Sequence, residues 1–73
     1  MTKDEFLEKF KDVLQREDDL TFDMLLNDLD EWDSLSIMAT MAFLDQNFGV
    51  KTSLQDYKKL HILGDIAKLA GLK

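Results

Sequence analysis

The sequence lacks cysteine and proline altogether, has a single histidine and contains no long apolar run. Without cysteine, neither a disulfide scaffold nor a zinc site with cysteine ligands can form. Without proline, helices are favoured over a turn-rich β architecture. No segment approaches the roughly 20 apolar residues of a membrane span, and the charged N-terminal stretch has no signal-peptide core. We therefore expect a soluble cytoplasmic protein that does not insert into a membrane.

The chain is also short. Its 73 residues are enough for one domain at most, so residues 1–73 are predicted to be a single domain. A chain of this size buries only about 60% of the surface that its unfolded form exposes. Its core is therefore small, and a deep, shielded active site would need a longer chain.

Acidic charge is concentrated in the first half of the chain. Residues 1–33 hold 12 of the 15 acidic residues and four of the nine basic ones, within a net charge of −6. This half would repel the phosphates of a nucleic acid, so no nucleic-acid partner is expected. Its long-range field favours a basic protein partner. Solubility alone is the alternative explanation of the charge.

The first helix is predicted from a capping box, in which Thr2 caps the N-terminus and Glu5 reaches back to it. Apolar residues then recur at helical spacing on one face, and the helix is expected to end near Arg16. Residues 17–33 carry eight acidic residues and no basic one. Because apolar residues are interspersed among them, this stretch is predicted to be a long loop pinned onto the core, with one turn of helix at residues 21–26.

Three further helices follow this loop. Asp33 is a good N-cap for a helix over residues 34–48, and Gly49 is a natural C-cap. A short third helix is predicted within residues 52–60 and a fourth over residues 62–69. The predicted fold class is all-α: a small four-helix bundle with a long loop between helices one and two and a short third helix.

No catalytic or metal-binding pattern is recognisable. A serine nucleophile needs a base and a group to orient that base, but His61 is the only histidine and no G-x-S-x-G sequence is present. We expect His61 to lie on the surface. An EF-hand loop starting at Asp28 would place Asp33 where glycine is required and Ala39 where glutamate is required. Neither a hydrolase nor a metal site is therefore predicted.

Ser34 separates an acidic stretch from an apolar helix in the sequence DLDEWDSLSIMAT, residues 28–40. At the first turn of a helix, its hydroxyl is expected to be exposed near unpaired backbone N–H groups and the positive end of the helix dipole. This is a favourable place for a phosphate group. The alternative is that Ser34 is a helix cap and nothing more.

The second helix has two apolar stripes when its residues are placed about 100° apart. One is predicted to face the core and consists of Ile37, Met41, Leu44 and Phe48. The other runs down the helix from Ser34 and consists of Leu35, Met38 and Ala42. A polar strip lies elsewhere and consists of Ser36, Thr40 and Asn47. Because a surface helix needs only one apolar face, the second stripe is predicted to be a docking surface; a wider core contact with the loop is the alternative.

These residues resemble those of an acyl carrier protein. The signature of that family is an aspartate–serine–leucine triplet at the start of its second helix, as in Asp33, Ser34 and Leu35 here. The order of elements is similar over nearly the whole chain. Residues 63–66, with the sequence LGDI, are similar to the start of the family's fourth helix.

The resemblance implies a carrier domain rather than an enzyme, in which Ser34 carries 4′-phosphopantetheine added from coenzyme A by a phosphopantetheinyl transferase. Acyl or aminoacyl groups would be held on this arm as thioesters, loaded by an acyl- or aminoacyl-loading ligase and presented to downstream biosynthetic enzymes. Asp33 would cap the helix and help the transferase engage. Partner enzymes would contact Leu35, Met38, Ala39, Ala42 and Asp45.

Two features differ from the pattern typical of fatty-acid carriers. Their second helix usually carries several acidic residues, whereas Ala39 and Gln46 occupy such positions here and Asp45 alone is acidic. Trp32 takes the place of a smaller aliphatic residue. These differences favour a dedicated carrier of a specialised pathway, such as an aminoacyl or peptidyl carrier. The carrier is expected to be a stand-alone monomer. The alternative is a small helical protein–protein interaction module without a prosthetic group.

Overall fold

Four α-helices follow one another in the predicted order. The computed structural model describes residues 1–72, and its helices span Lys3–Leu14 (α1), Ser34–Phe48 (α2), Leu54–Lys58 (α3) and Leu63–Leu69 (α4). A single turn of 3₁₀-helix spans Leu26–Asp28 in the loop between α1 and α2. Within residues 1–72 the β pairing consists of one isolated bridge. The predicted all-α bundle, with its long loop and short third helix, is confirmed.

The first helix begins as predicted and ends earlier than predicted. The Thr2 hydroxyl accepts from the Glu5 amide at 3.1 Å, and the Glu5 carboxylate accepts from the Thr2 amide at 3.0 Å. The helix ends at Leu14 because Gln15 adopts a left-handed conformation with φ 56°. The amide of Arg16 then donates to the Lys11 carbonyl at 2.9 Å, which closes the helix two residues before the predicted end.

The long loop is fixed to the start of α4 by backbone hydrogen bonds. Leu25 forms a β-bridge with Ile62. On either side of this bridge the Leu26 amide donates to the His61 carbonyl at 2.9 Å, and the Gly64 amide donates to the Phe22 carbonyl at 2.8 Å. The predicted helical turn at residues 21–26 is therefore wrong in position, because the backbone at its end is extended and paired with the α3–α4 linker.

Aromatic side chains form a continuous network in and around the core, alongside buried leucine, isoleucine and alanine side chains. All seven aromatic residues of the chain belong to one network of neighbouring rings, with centroid separations of 5.7–6.4 Å. Phe6 of α1 lies at its centre and contacts four other rings. The network extends through Phe10 and Trp32 to Tyr57 of α3. Offset and tilted ring pairs each add about 0.5–1.5 kcal/mol to the free energy gained from burial.

The core face of α2 includes the predicted stripe, with Ile37, Met41 and Phe48 half-buried against the core, but it is wider than predicted. Leu44 is fully buried as predicted, but Phe43 is also buried and Thr40 has no exposed surface at all. The assignment of Thr40 to a polar strip outside the core is therefore wrong. Its hydroxyl donates to the Ser36 carbonyl at 2.8 Å, one turn earlier in the helix. This hydrogen bond satisfies the hydroxyl, so its burial carries little penalty.

The two short helices begin with local caps. Asp56 accepts from the Ser53 amide at 2.8 Å at the start of α3. Asp65 accepts from the amides of His61 at 2.9 Å and Ile62 at 3.1 Å before α4, and these two hydrogen bonds lower the pKa of the Asp65 carboxyl. The fourth helix thus begins one residue later than predicted. The side chain of His61 is exposed, as expected.

Candidate functional site

The start of α2 is fixed by a reciprocal cap around Ser34. Asp33 is the N-cap, and its Oδ1 accepts from the Ser36 amide at 2.9 Å. In return, the Ser36 hydroxyl accepts from the Asp33 amide at 2.8 Å and donates to the Asp33 carbonyl at 3.0 Å. The predicted cap is therefore present, and the sequence reasoning missed its second half. The sequence feature that indicates this second half is the hydroxyl residue Ser36, three positions after Asp33.

The two neighbouring serines have different surroundings. Ser34 is the first residue of α2 and its side chain is exposed. Ser36 is half-buried and its hydroxyl is held in the cap. Among residues 1–72, the structure shows no hydrogen-bond partner for the Ser34 hydroxyl. Ser34 therefore presents a primary alcohol to solvent, at the positive end of a 15-residue helix.

An ion pair ties the segment before Ser34 to the end of α1. Arg16 donates to Glu31 at 2.9 Å, and both side chains are largely buried, with 20% and 31% of their surface exposed. Glu31 lies three residues before Ser34, next to Trp32, whose ring packs against Phe10 and Tyr57. The ion pair and the packing of Trp32 therefore hold the end of the loop in place before α2. This pair could not be predicted from local sequence patterns, because its partners are 15 residues apart.

The α2 surface beyond Ser34 is apolar and exposed. Leu35 has 76% and Met38 61% of its surface exposed, and Ala39 and Ala42 are exposed beside them. Singly exposed apolar residues are common, but a contiguous group of them marks an interaction surface. The second stripe thus faces solvent rather than the loop. Its role in partner binding stays a prediction.

The acidic residue on this surface has a basic neighbour. Asp45 is exposed, and its Oδ2 lies 3.8 Å from Nζ of Lys51, which is also exposed. A pair of this kind contributes little to stability. It does, however, place a compensating positive charge next to Asp45.

Residues 1–72 contain no cluster of three or more histidine, cysteine or acidic side chains placed to hold a metal ion. None of the helices described is both long and apolar enough to cross a membrane.

A capped, exposed serine at the start of the second helix of a small four-helix bundle is the arrangement of a carrier protein. The sequence matches no protein-family model and no curated protein. A solved structure that it matches is the solution NMR structure of a holo acyl carrier protein from Geobacter metallireducens. The two chains are 33% identical, the match covers 93% of this chain and 79% of the other, and the TM-score is 0.74.

This degree of identity over most of both chains shows that the protein belongs to the acyl carrier protein family. Its role is that of a carrier and not of an enzyme. The Asp33–Ser34–Leu35 triplet therefore lies at the start of the second helix of an acyl carrier protein fold.

Proposed function

We propose that Ser34 carries 4′-phosphopantetheine and that the protein holds acyl or aminoacyl groups as thioesters on the thiol of this arm. The observation that carries the proposal is the exposed Ser34 hydroxyl at the capped start of α2. The Geobacter protein is the holo form of an acyl carrier protein, which supports the same cofactor here. The arm supplies the reactive thiol, and the protein positions and presents it.

The residues at the start of α2 fit the group. An exposed primary alcohol can form the phosphodiester without rearrangement of the helix, and the backbone N–H groups of the first turn favour a phosphate beside them. During attachment the Ser34 oxygen forms the new bond to phosphorus, and the pyrophosphate bond of coenzyme A breaks with release of adenosine 3′,5′-bisphosphate. The phosphopantetheinyl transferase supplies the base that takes the proton. Asp33 holds the turn in place and contributes a carboxylate for the transferase to recognise.

The partners we propose are this transferase, an acyl- or aminoacyl-loading ligase and downstream biosynthetic enzymes. They would contact the exposed face of α2 formed by Leu35, Met38, Ala39, Ala42 and Asp45. Because this face is apolar and Asp45 is balanced by Lys51, it fits an apolar partner surface better than a strongly basic one. This supports a carrier of a specialised pathway. We further propose that residues 1–73 form a single domain that acts in the cytoplasm as a monomer.

Intact-mass spectrometry tests the attachment site. The purified protein is incubated with coenzyme A and a promiscuous phosphopantetheinyl transferase, and the addition of a single phosphopantetheine is expected. Ser34→Ala should abolish the addition. Ser36→Ala is the matched control: it removes a neighbouring hydroxyl that is held in the cap, and it should leave the addition largely intact once circular dichroism has shown that the helices are retained.

Two outcomes would contradict the proposal. Addition to the Ser34→Ala variant would place the arm elsewhere. No addition to the wild-type chain would favour the alternative, a helical interaction module without a prosthetic group.

A further inference from the structure

A groove with a volume of about 460 Å³ lies where the start of α1, the long loop and α4 meet. The volume falls in the range of about 300–1,000 Å³ that is typical of small-molecule sites. The residues that line it come from these three segments and from the chain just after α4, and α2 contributes none. The groove is therefore separate from Ser34 and from the exposed face of α2.

Backbone hydrogen bonds hold the walls of this groove in place. The Gly64 amide donates to the Phe22 carbonyl at 2.8 Å, and the Leu63 amide donates to the Met24 carbonyl at 2.9 Å. The ring of Phe22 stacks on that of Phe6 in the core, with a centroid separation of 6.2 Å. Because these contacts are made within the folded chain, the groove is formed before any ligand enters, which lowers the cost of binding.

The inner surface of the groove is apolar. Phe22, Ile62 and Leu72 are half-buried around it, and the buried Ala67 forms part of its lining. Such a surface favours an alkyl chain over water. The volume of about 460 Å³ equals that of about 15 water molecules at about 30 Å³ each. An aliphatic chain of about eight carbons therefore has room in it.

Two lysines flank this apolar surface. Lys3 is the first residue of α1 and Lys68 lies in the last turn of α4, and both line the groove and are exposed. Within residues 1–72 neither lysine is in an ion pair. Asp23 also lines the groove, but its carboxylate accepts a hydrogen bond from the Thr21 hydroxyl. Two lysines against one aspartate leave a local positive charge on a chain whose net charge is −6, and this charge fits an anionic group.

We propose that the groove binds an aliphatic carboxylate of medium chain length. Its alkyl chain would lie against Phe22, Ile62 and Leu72, and its carboxylate would pair with Lys3 and Lys68. This inference goes beyond the function proposed above, because the site requires neither Ser34 nor a prosthetic group. A ligand of this size makes few contacts, so a dissociation constant of about 1 mM is expected for octanoate.

An NMR titration with sodium octanoate tests the site. The ¹⁵N-labelled chain is used before any phosphopantetheine has been added, so the result does not depend on the proposed function. The amide signals of residues 22–24 and 62–68 should shift and saturate, whereas those of α3, Leu54–Lys58, should shift little. Acetate, which has the charge without the chain, should cause no saturable shift at the same concentrations. Shifts spread evenly over the chain, or no saturation at about 10 mM octanoate, tenfold above the expected constant, would overturn the proposal.

Two pairs of lysine variants test the role of the charges. Lys3→Gln combined with Lys68→Gln should weaken octanoate binding by about five- to tenfold, because two exposed charge pairs are lost. Lys58→Gln combined with Lys59→Gln is the matched control. It removes the same charge from exposed lysines outside the groove and should change the affinity by less than about twofold. Equal weakening by both pairs would refute the proposed pairing of the carboxylate.

Two leucine variants test the apolar wall. Leu72→Ala shortens a side chain that lines the groove near the end of the chain, and it should weaken octanoate binding by about threefold because less alkyl surface is buried. Leu54→Ala removes an exposed leucine of α3 and should leave the affinity unchanged. Circular dichroism shows that each variant keeps its helices. An unchanged affinity in Leu72→Ala would refute the contact of the alkyl chain with this wall.

Discussion

Replacement of Asp33 by alanine should weaken the start of α2 by a measurable amount. The change removes the oxygen that accepts from the Ser36 amide at 2.9 Å. Loss of an aspartate N-cap to alanine typically costs about 1 kcal/mol, within a range of about 0.5–2 kcal/mol. For a domain of this size, about 1 kcal/mol lowers the melting temperature by about 4–8 °C. At about 0.05–0.15 kcal/mol per residue the whole fold has a stability of about 4–11 kcal/mol, so the variant should remain folded at 25 °C.

Asp33→Asn separates the cap from the charge. Asparagine keeps a side-chain oxygen that can accept from Ser36 and is about as good an N-cap as aspartate. The change removes only the favourable interaction of a negative charge with the helix dipole, about 0.3–1 kcal/mol for an exposed group. Thermal unfolding followed by circular dichroism at pH 7 should therefore show a smaller decrease for Asp33→Asn than for Asp33→Ala. Equal decreases would refute the explanation by capping.

The same two variants test whether the transferase recognises the carboxylate. The rate of phosphopantetheine addition is measured at a temperature at which both variants are folded. If the carboxylate is contacted, both Asp33→Asn and Asp33→Ala should lower kcat/KM for the carrier. A wild-type rate for Asp33→Asn would limit the role of Asp33 to that of a cap.

Gly64→Ala should lower the free energy of unfolding by up to about 2 kcal/mol, because the added Cβ would lie 3.1 Å from the Phe22 carbonyl oxygen. Overpacking costs about 1–3 kcal/mol and outweighs the roughly 1 kcal/mol by which alanine is favoured in a helix. A urea titration that shows a higher free energy of unfolding for the variant would contradict this. The melting temperature should rise with NaCl, because salt screens the repulsion among acidic side chains in the loop. Of the eight acidic residues at 17–33, two are in ion pairs. The Debye length is about 10 Å at 0.1 M salt, so repulsion among the others is weakened. A melting temperature that stays constant or falls as NaCl is added would contradict the explanation by repulsion within the loop. Met38→Glu should severely weaken the complex with the loading enzyme, because it places an unpaired charge in an apolar contact, whereas Asp45→Asn should change it by about 0–1 kcal/mol. If calorimetric titrations show a larger loss of affinity for Asp45→Asn than for Met38→Glu, the docking is electrostatic.

The parts of the fold that could be predicted from the sequence are those set by local signals. The second helix has the predicted bounds because Asp33 and Gly49 act on the residues next to them, through a cap and a left-handed turn. The exposure of Ser34 follows from the same cap. Local signals also placed the start of the first helix, where Thr2 and Glu5 pair.

The parts that could not be predicted depend on contacts between distant residues. The bridge between Leu25 and Ile62 joins segments 37 residues apart in numbering, and no pattern in either segment identifies its partner. Thr40 is polar by type, and only the packing of α2 against the other elements shows that it is buried. Gln15 ended the first helix in a conformation usually associated with glycine, so the helix-end signal was missing there.

The position of Trp32 gives the chain a fluorescent reporter of its own. It is the only tryptophan, it lies two residues before Ser34, and its ring centroid is 6.2 Å from that of Tyr57 in α3. Excitation of the tyrosine is therefore transferred efficiently to the tryptophan in the folded state. Tryptophan emission reports on whether the end of the loop is seated, while the far-ultraviolet signal reports on the helices. The two spectroscopic signals together can thus distinguish detachment of the segment before Ser34 from unfolding of the bundle, with no label added.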